Sequence, residues 1–117
     1  MNLDQIRRKL AAFARARNWD QFHTPKNLSM ALAAEATELL EIFQWLTDEQ
    51  SKVIVDNENE MALVRQEIAG VFIYLTRLAD KLDVDIEKAV LDKIEENEKK
   101  YPIELAKGNA TKYNRRD

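Results

Sequence analysis

The sequence predicts an all-α fold: a four-helix-bundle-like domain completed by oligomerisation. Three observations carry this expectation. Apolar residues recur at helical spacing in four separate segments. The 117 residues include only two Gly and two Pro, too little material for the tight turns of an all-β chain. A hydrophobic share of 45% beside 33% charged residues fits one globular domain with one core.

The first helix is expected over Leu3–Arg17, where Leu3, Ile6, Leu10, Phe13 and Ala14 share a face. A loop holding Trp19, Phe22 and His23 follows. Thr24 then serves as an N-cap, with Pro25 at the first helical position, where its missing N–H costs nothing. The second helix runs to Trp45 or Leu46. Thr47–Asn59 reads as a polar connection with an apolar patch at Val53, Ile54 and Val55, and room for a short helical turn. The third helix spans Glu58–Leu82. Asp85 caps the fourth, which carries Ile86, Ala89, Val90, Ile94 and Asn97 on one side and stops at Pro102, just after Tyr101. The helical domain is therefore 1–102. Residues 103–117 form a polar tail, basic through Lys107, Lys112, Arg115 and Arg116, more commonly a disordered segment than a flap over a site. Phe72 and Ile73 lie off the main stripe of the third helix, so a second face is expected to be buried in a homo-oligomer.

Composition excludes several classes. A formal net charge of −3 offers no basic excess to neutralise the phosphates of a nucleic acid polymer. The absence of Cys removes disulfides, thiolate zinc sites and cysteine nucleophiles together. No apolar run approaches the roughly 18–20 residues of a membrane span, and Met1–Gln5 lacks the apolar segment of a signal peptide. A cytoplasmic protein is expected.

Two carboxylates stand where apolar residues should. Turned at about 100° per residue, Leu28, Ala31, Leu32, Leu39, Ile42 and Leu46 gather around Glu35, with Glu38 at the edge. On the third helix Leu63, Val64, Val71, Tyr74 and Leu78 surround Glu67. A buried ionised carboxylate is costly unless it is paired or holds a metal. Glu35 and Glu38, three apart, share one helix face, and their repulsion raises a pKa unless a cation intervenes. Oxygen ligands alone select Mg²⁺, or Mn²⁺, over zinc. The competing reading is that these residues pair with Lys or Arg across the bundle. Glu41 falls toward the polar side of its helix.

The run Trp19-Asp20-Gln21-Phe22-His23-Thr24-Pro25-Lys26-Asn27-Leu28 leads into Glu35-Ala36-Thr37-Glu38 and Glu41-Ile42-Phe43-Gln44-Trp45. It continues through Gln66-Glu67-Ile68, Ile73-Tyr74-Leu75, Val84-Asp85 and Lys93, Asn97, Tyr101-Pro102. The combination resembles the MazG-like nucleoside triphosphate pyrophosphatases, closest to their dCTP pyrophosphatase branch, over roughly residues 18–113. The resemblance implies an all-α dimer or tetramer that hydrolyses (d)NTP to the monophosphate and pyrophosphate with Mg²⁺, cleansing the nucleotide pool. It implies metal ligation by Glu35, Glu38 and Glu67, and base contacts from His23 and Trp45 with Trp19 or Phe22 nearby. Lys93, Asn97 and Tyr101 are implied phosphate or sugar contacts. Taken alone, Lys93 and Asn97 read as an ordinary surface pair, and the aromatic residues as core or interface. Tyr74 is either a hydrogen-bond partner of a ligating carboxylate or a core residue. Glu38, or else Glu41, would activate the attacking water.

One position departs from the family pattern. Its E-x-x-D motif ends here in Gly70, which removes a negative ligand and costs about 1 kcal/mol of helix propensity relative to Ala. Water in the gap would leave a weaker metal site. The alternative readings are a nucleotide-binding module with impaired turnover, and a helical interaction domain that binds no metal.

Overall fold

A computed structural model of the chain describes residues 1–115; Arg116 and Asp117, the end of the expected tail, lie outside the described residues. Among the described residues every regular element is helical. The helices are α1 (Leu3–Ala16), α2 (Pro25–Phe43), α3 (Asp48–Lys52), α4 (Glu58–Lys81), α5 (Ile86–Lys100) and α6 (Ile103–Ala106). Short 3₁₀ turns stand at Asp20–Phe22, Ile54–Asp56 and Tyr113–Arg115. Chain contacts gather into two compact units, Met1–Asp83 and Val84 onward.

Local chemistry starts and stops the helices of the first unit. Asn2 caps α1 by accepting from the Gln5 amide at 3.0 Å. The helix ends in a Schellman arrangement: the Trp19 amide donates to the Ala14 carbonyl and the Asn18 amide to the Arg15 carbonyl, with Asn18 left-handed at φ 56°. Thr24 caps α2, its hydroxyl accepting from the Asn27 amide at 3.2 Å, and Pro25 is the first helical residue as the sequence predicts. The end of α2 departs from expectation. It stops at Phe43, because Thr47 opens a new helix with a reciprocal capping box to Gln50, and the chain must turn before it. Trp45 and Leu46 therefore lie in the turn, with Trp45 87% exposed.

α2 packs along α4, and α1 packs on α4 as well. The fully enclosed residues are few: Ala14, Leu28, Val64, Thr76, Arg77 and Ala79. Leu46 and Leu63, expected around the interior carboxylates, are exposed in the single chain, as are Ile68, Ile73 and Leu75 of α4.

In the second unit Asp85 caps α5, accepting from the Lys88 amide at 3.0 Å. The segment expected as a disordered tail is partly built: α6 follows Pro102, and Tyr113 sets its ring edge-on to Tyr101 at 5.9 Å between centroids. The Lys100 ammonium lies 4.9 Å from the centre of the Tyr113 ring, so the segment turns back onto the end of α5. No helix among the described residues is long and apolar enough to cross a membrane.

Candidate metal centre and its flanking loop

Because α2 and α4 lie side by side, the carboxylates of Glu35 and Glu38 on α2 meet that of Glu67 on α4. Each offers an oxygen within 4.8 Å of the others. Glu35 and Glu67 are half-buried and Glu38 is exposed, so the cluster opens to solvent at Glu38 rather than being sealed inside. No Lys or Arg of Met1–Asp83 forms an ion pair with any of the three. The reading in which cations across the bundle neutralise them is not what the first unit contains.

Ionised carboxylates only accept hydrogen bonds, and Glu67 Oε2 is buried with no donor. A proton shared with its neighbour would supply one, which is why the Glu67 carboxyl is pushed up to about 7. The hydrogen bond to Glu35 contributes most, followed by desolvation and then Glu38. A hard divalent cation would meet the same need. The donor set fits one: three convergent carboxylates, an orphaned buried oxygen, and no ion pair to a Lys or Arg of the unit.

Gly70, one turn beyond Glu67, does not open onto free space. A Cβ built there would meet Glu35 Oε2 at 2.6 Å and Glu35 Cδ at 2.9 Å. The Glu35 carboxylate already lies where a Cβ at position 70 would stand. Glu41 stays exposed on α2 and is not part of the cluster.

The loop before α2 carries three of the other candidate residues, Trp19, Phe22 and His23. Phe22 is exposed, and Trp19 sets its indole edge-on to Phe13 at 5.8 Å between centroids. His23 is half-buried and bound to α4: Arg77 Nε donates to His23 Nδ1 at 3.3 Å. Burial, and then the Arg77 charge, hold the His23 imidazole below its ordinary pKa. Tyr74 lies half-buried on α4, two turns beyond Glu67. Lys93, Asn97 and Tyr101 belong to the second unit, where Lys93 pairs with Glu96 at 3.7 Å and the Asn97 carbonyl accepts from the Tyr101 amide.

Arg77 is the residue the sequence reading missed. Only 3% exposed, it pairs with Asp20 at 2.9 Å and Asp80 at 3.5 Å besides meeting His23. Lys81 joins Asp20 at 2.7 Å, and Arg7 of α1 joins Asp80 at 3.1 Å. The only advance signal was an acid, Asp20, inside an aromatic loop.

Residues 30–115 match the model of the MazG-like family. The chain belongs to the MazG-like family. Among proteins it resembles is dCTP pyrophosphatase 1 of Bos taurus, 43% identical over 111 residues, which cover 95% of this chain and 66% of that protein. The Homo sapiens protein of the same name is 43% identical over 95% of this chain and 65% of its own length. The chain thus spans just under two thirds of these curated relatives. The fold is also that of a crystal structure of a pyrophosphatase from Archaeoglobus fulgidus DSM 4304. There the TM-score is 0.77 at 40% identity, covering 87% of this chain and 94% of that one.

Proposed function

We propose that this MazG-like chain is a nucleoside triphosphate pyrophosphatase, hydrolysing (d)NTP to (d)NMP and pyrophosphate with Mg²⁺. The observation that carries the reading is the Glu35–Glu38–Glu67 cluster, which gathers three carboxylates with no ion pair to a Lys or Arg of the first unit. The names of the relatives support the reaction class, and those called dCTP pyrophosphatase 1 favour dCTP-like pyrimidine nucleotides. Clearing such nucleotides from the cytoplasmic pool fits this chemistry.

Glu35, Glu38 and Glu67 would hold the ion, with Mn²⁺ as the alternative to Mg²⁺. When bound, it would draw in the triphosphate oxygens and stabilise charge developing on them. Glu38, at the exposed edge of the cluster, is placed to take a proton from the attacking water. The water oxygen bonds to phosphorus as the bond between the α- and β-phosphates breaks, and pyrophosphate leaves with the electron pair. His23 and Trp45, with Trp19 or Phe22 nearby, are the proposed base contacts; Tyr74 would partner a ligating carboxylate at the nucleotide site, and Lys93, Asn97 and Tyr101 keep the proposed phosphate or sugar roles. The exposed Ile68, Ile73 and Leu75 of α4 support burial of a further face between copies, in a homodimer or homotetramer.

Pyrophosphate release from a panel of common dNTPs and NTPs, with and without Mg²⁺, tests this. Release that needs the metal and favours pyrimidine deoxynucleotides is expected. Gly70, standing where the family's E-x-x-D motif has its Asp, favours a second reading, nucleotide binding with poor turnover. Saturable binding without release would select it.

A further inference from the structure

We propose that Arg77 is a positioning residue for nucleobase recognition: it fixes which ring nitrogen of His23 carries the proton, so that the ring presents an Nε2–H donor. The inference rests on the proposed placing of His23 beside the base, and adds how that residue reads it.

A guanidinium has five donors, no acceptor, and a charge it does not lose. Its Nε–H meets His23 Nδ1 at 3.3 Å, so Nδ1 must keep its lone pair, and the proton of the neutral ring sits on Nε2. An imidazolium there would set an N–H against an N–H and a cation against a cation. Arg77 has little freedom to move away. It is 3% exposed, and Asp20 at 2.9 Å with Asp80 at 3.5 Å hold its other nitrogens. A buried Arg is kept only where such partners surround it. The same pair ties the 3₁₀ turn Asp20–Phe22 to α4, so the ring is held in place as well as in tautomer.

Among the described residues no partner meets His23 Nε2, which leaves that N–H to offer to a ligand. An N–H donor pairs only with acceptor edges. The ring therefore selects a base carbonyl or an unprotonated ring nitrogen, such as a pyrimidine offers, and rejects an exocyclic amino group at the same point.

His23 is the only histidine, so ¹⁵N-labelled protein gives one imidazole spin system. Long-range ¹H–¹⁵N correlation of the full chain near neutral pH should show a single Nε2–H tautomer. In Arg77→Gln, whose side-chain amide can accept from the ring as well as donate to it, the two tautomers should average. The pyrimidine nucleotide KM should rise about 2–10-fold, the weight of one hydrogen bond, with kcat and the Mg²⁺-induced thermal shift held. An Nδ1–H or doubly protonated ring in the parent chain overturns the proposal, as does an unchanged KM in a variant whose tautomers have averaged. If the parent chain shows the Nε2–H tautomer but neither binds nor cleaves nucleotide, the link to base recognition is overturned along with the proposed activity. The tautomer result separates the two failures.

Discussion

The Glu35 carboxylate lies over Gly70, its Oε2 2.6 Å from where a Cβ on that residue would stand. A glycine in the middle of a 24-residue helix is thereby explained by what it makes room for, despite its cost in helix propensity. Glu35 can yield, since its far end is flexible.

Gly70→Asp should therefore fold, with Glu35 swung aside. It adds a fourth carboxylate, so the metal-free variant should melt below the parent while its stabilisation by Mg²⁺ exceeds the parent's. Thermal melts across a Mg²⁺ titration check both. A metal response no larger than the parent's would mean that position 70 lies outside the ligand set.

Above pH 7, where the Glu67 carboxyl has lost its proton, Glu67→Gln should raise the melting temperature of the metal-free chain, because an amide can donate to Glu35 where a carboxylate only repels it. It should also abolish the metal response. The parent should gain about 2.7 kcal/mol at a Mg²⁺ concentration 100 times its Kd. If Glu67→Gln loses metal-free stability, the crowding described here is not the dominant feature of the apo site.

Acid should loosen the loop before α2. The hydrogen bonds from Lys81 and then Arg77 hold the Asp20 carboxyl below the usual carboxylate range. A lowered folded-state pKa means the unfolded chain binds the proton more readily. The contribution is present above the ordinary pKa and is lost as pH falls through the lowered one. His23, lowered by burial and then by Arg77, has the same sign at higher pH: its share is full above its ordinary value near 6.5 and fades below it. From pH 7 down to about 4.5 the raised Glu67 carboxyl works the other way, because the folded chain binds that proton more readily, so the acid fall assigned to Asp20 is read by denaturation below pH 4.5. Asp20→Asn should flatten that fall, and an unchanged acid limb would remove Asp20 from the account.

Asn18 holds φ 56° at the end of α1, one residue before Trp19. Asn18→Gly should be neutral or better, whereas Asn18→Ala should cost about 1 kcal/mol in chemical denaturation. Equal stabilities for the two variants would contradict the left-handed assignment.

The features written in short stretches of sequence were legible. Thr24-Pro25 and Asp85 mark helix starts because capping involves residues three apart, and Glu35 and Glu67 announce themselves by breaking an apolar period. The packing of α2 on α4 brings their carboxylates together. The end of α2 was misjudged because the capping box at Thr47–Gln50 competes with continuation through Trp45. Apolar spacing also overstated burial, since it marks a face without saying what covers it: Leu63 is 46% exposed. Asp80, three residues on along the same helix, was within local reach, but Arg77's other partners, His23 and Asp20, lie 54 and 57 residues away in the loop before α2, and no periodicity links them to α4. The relation of Glu35 to Gly70 needed side-chain positions.

The Asp20–Arg77 hydrogen bond closes a span of 57 residues. Such a loop is entropically expensive to draw shut, and nothing local rewards it before α4 is in place. The aromatic segment should thus settle late, after the folding barrier has been crossed. Breaking the pair would then hasten unfolding and leave the folding rate nearly unchanged. The loop before α2 owes its lifetime, rather than its formation, to one enclosed arginine.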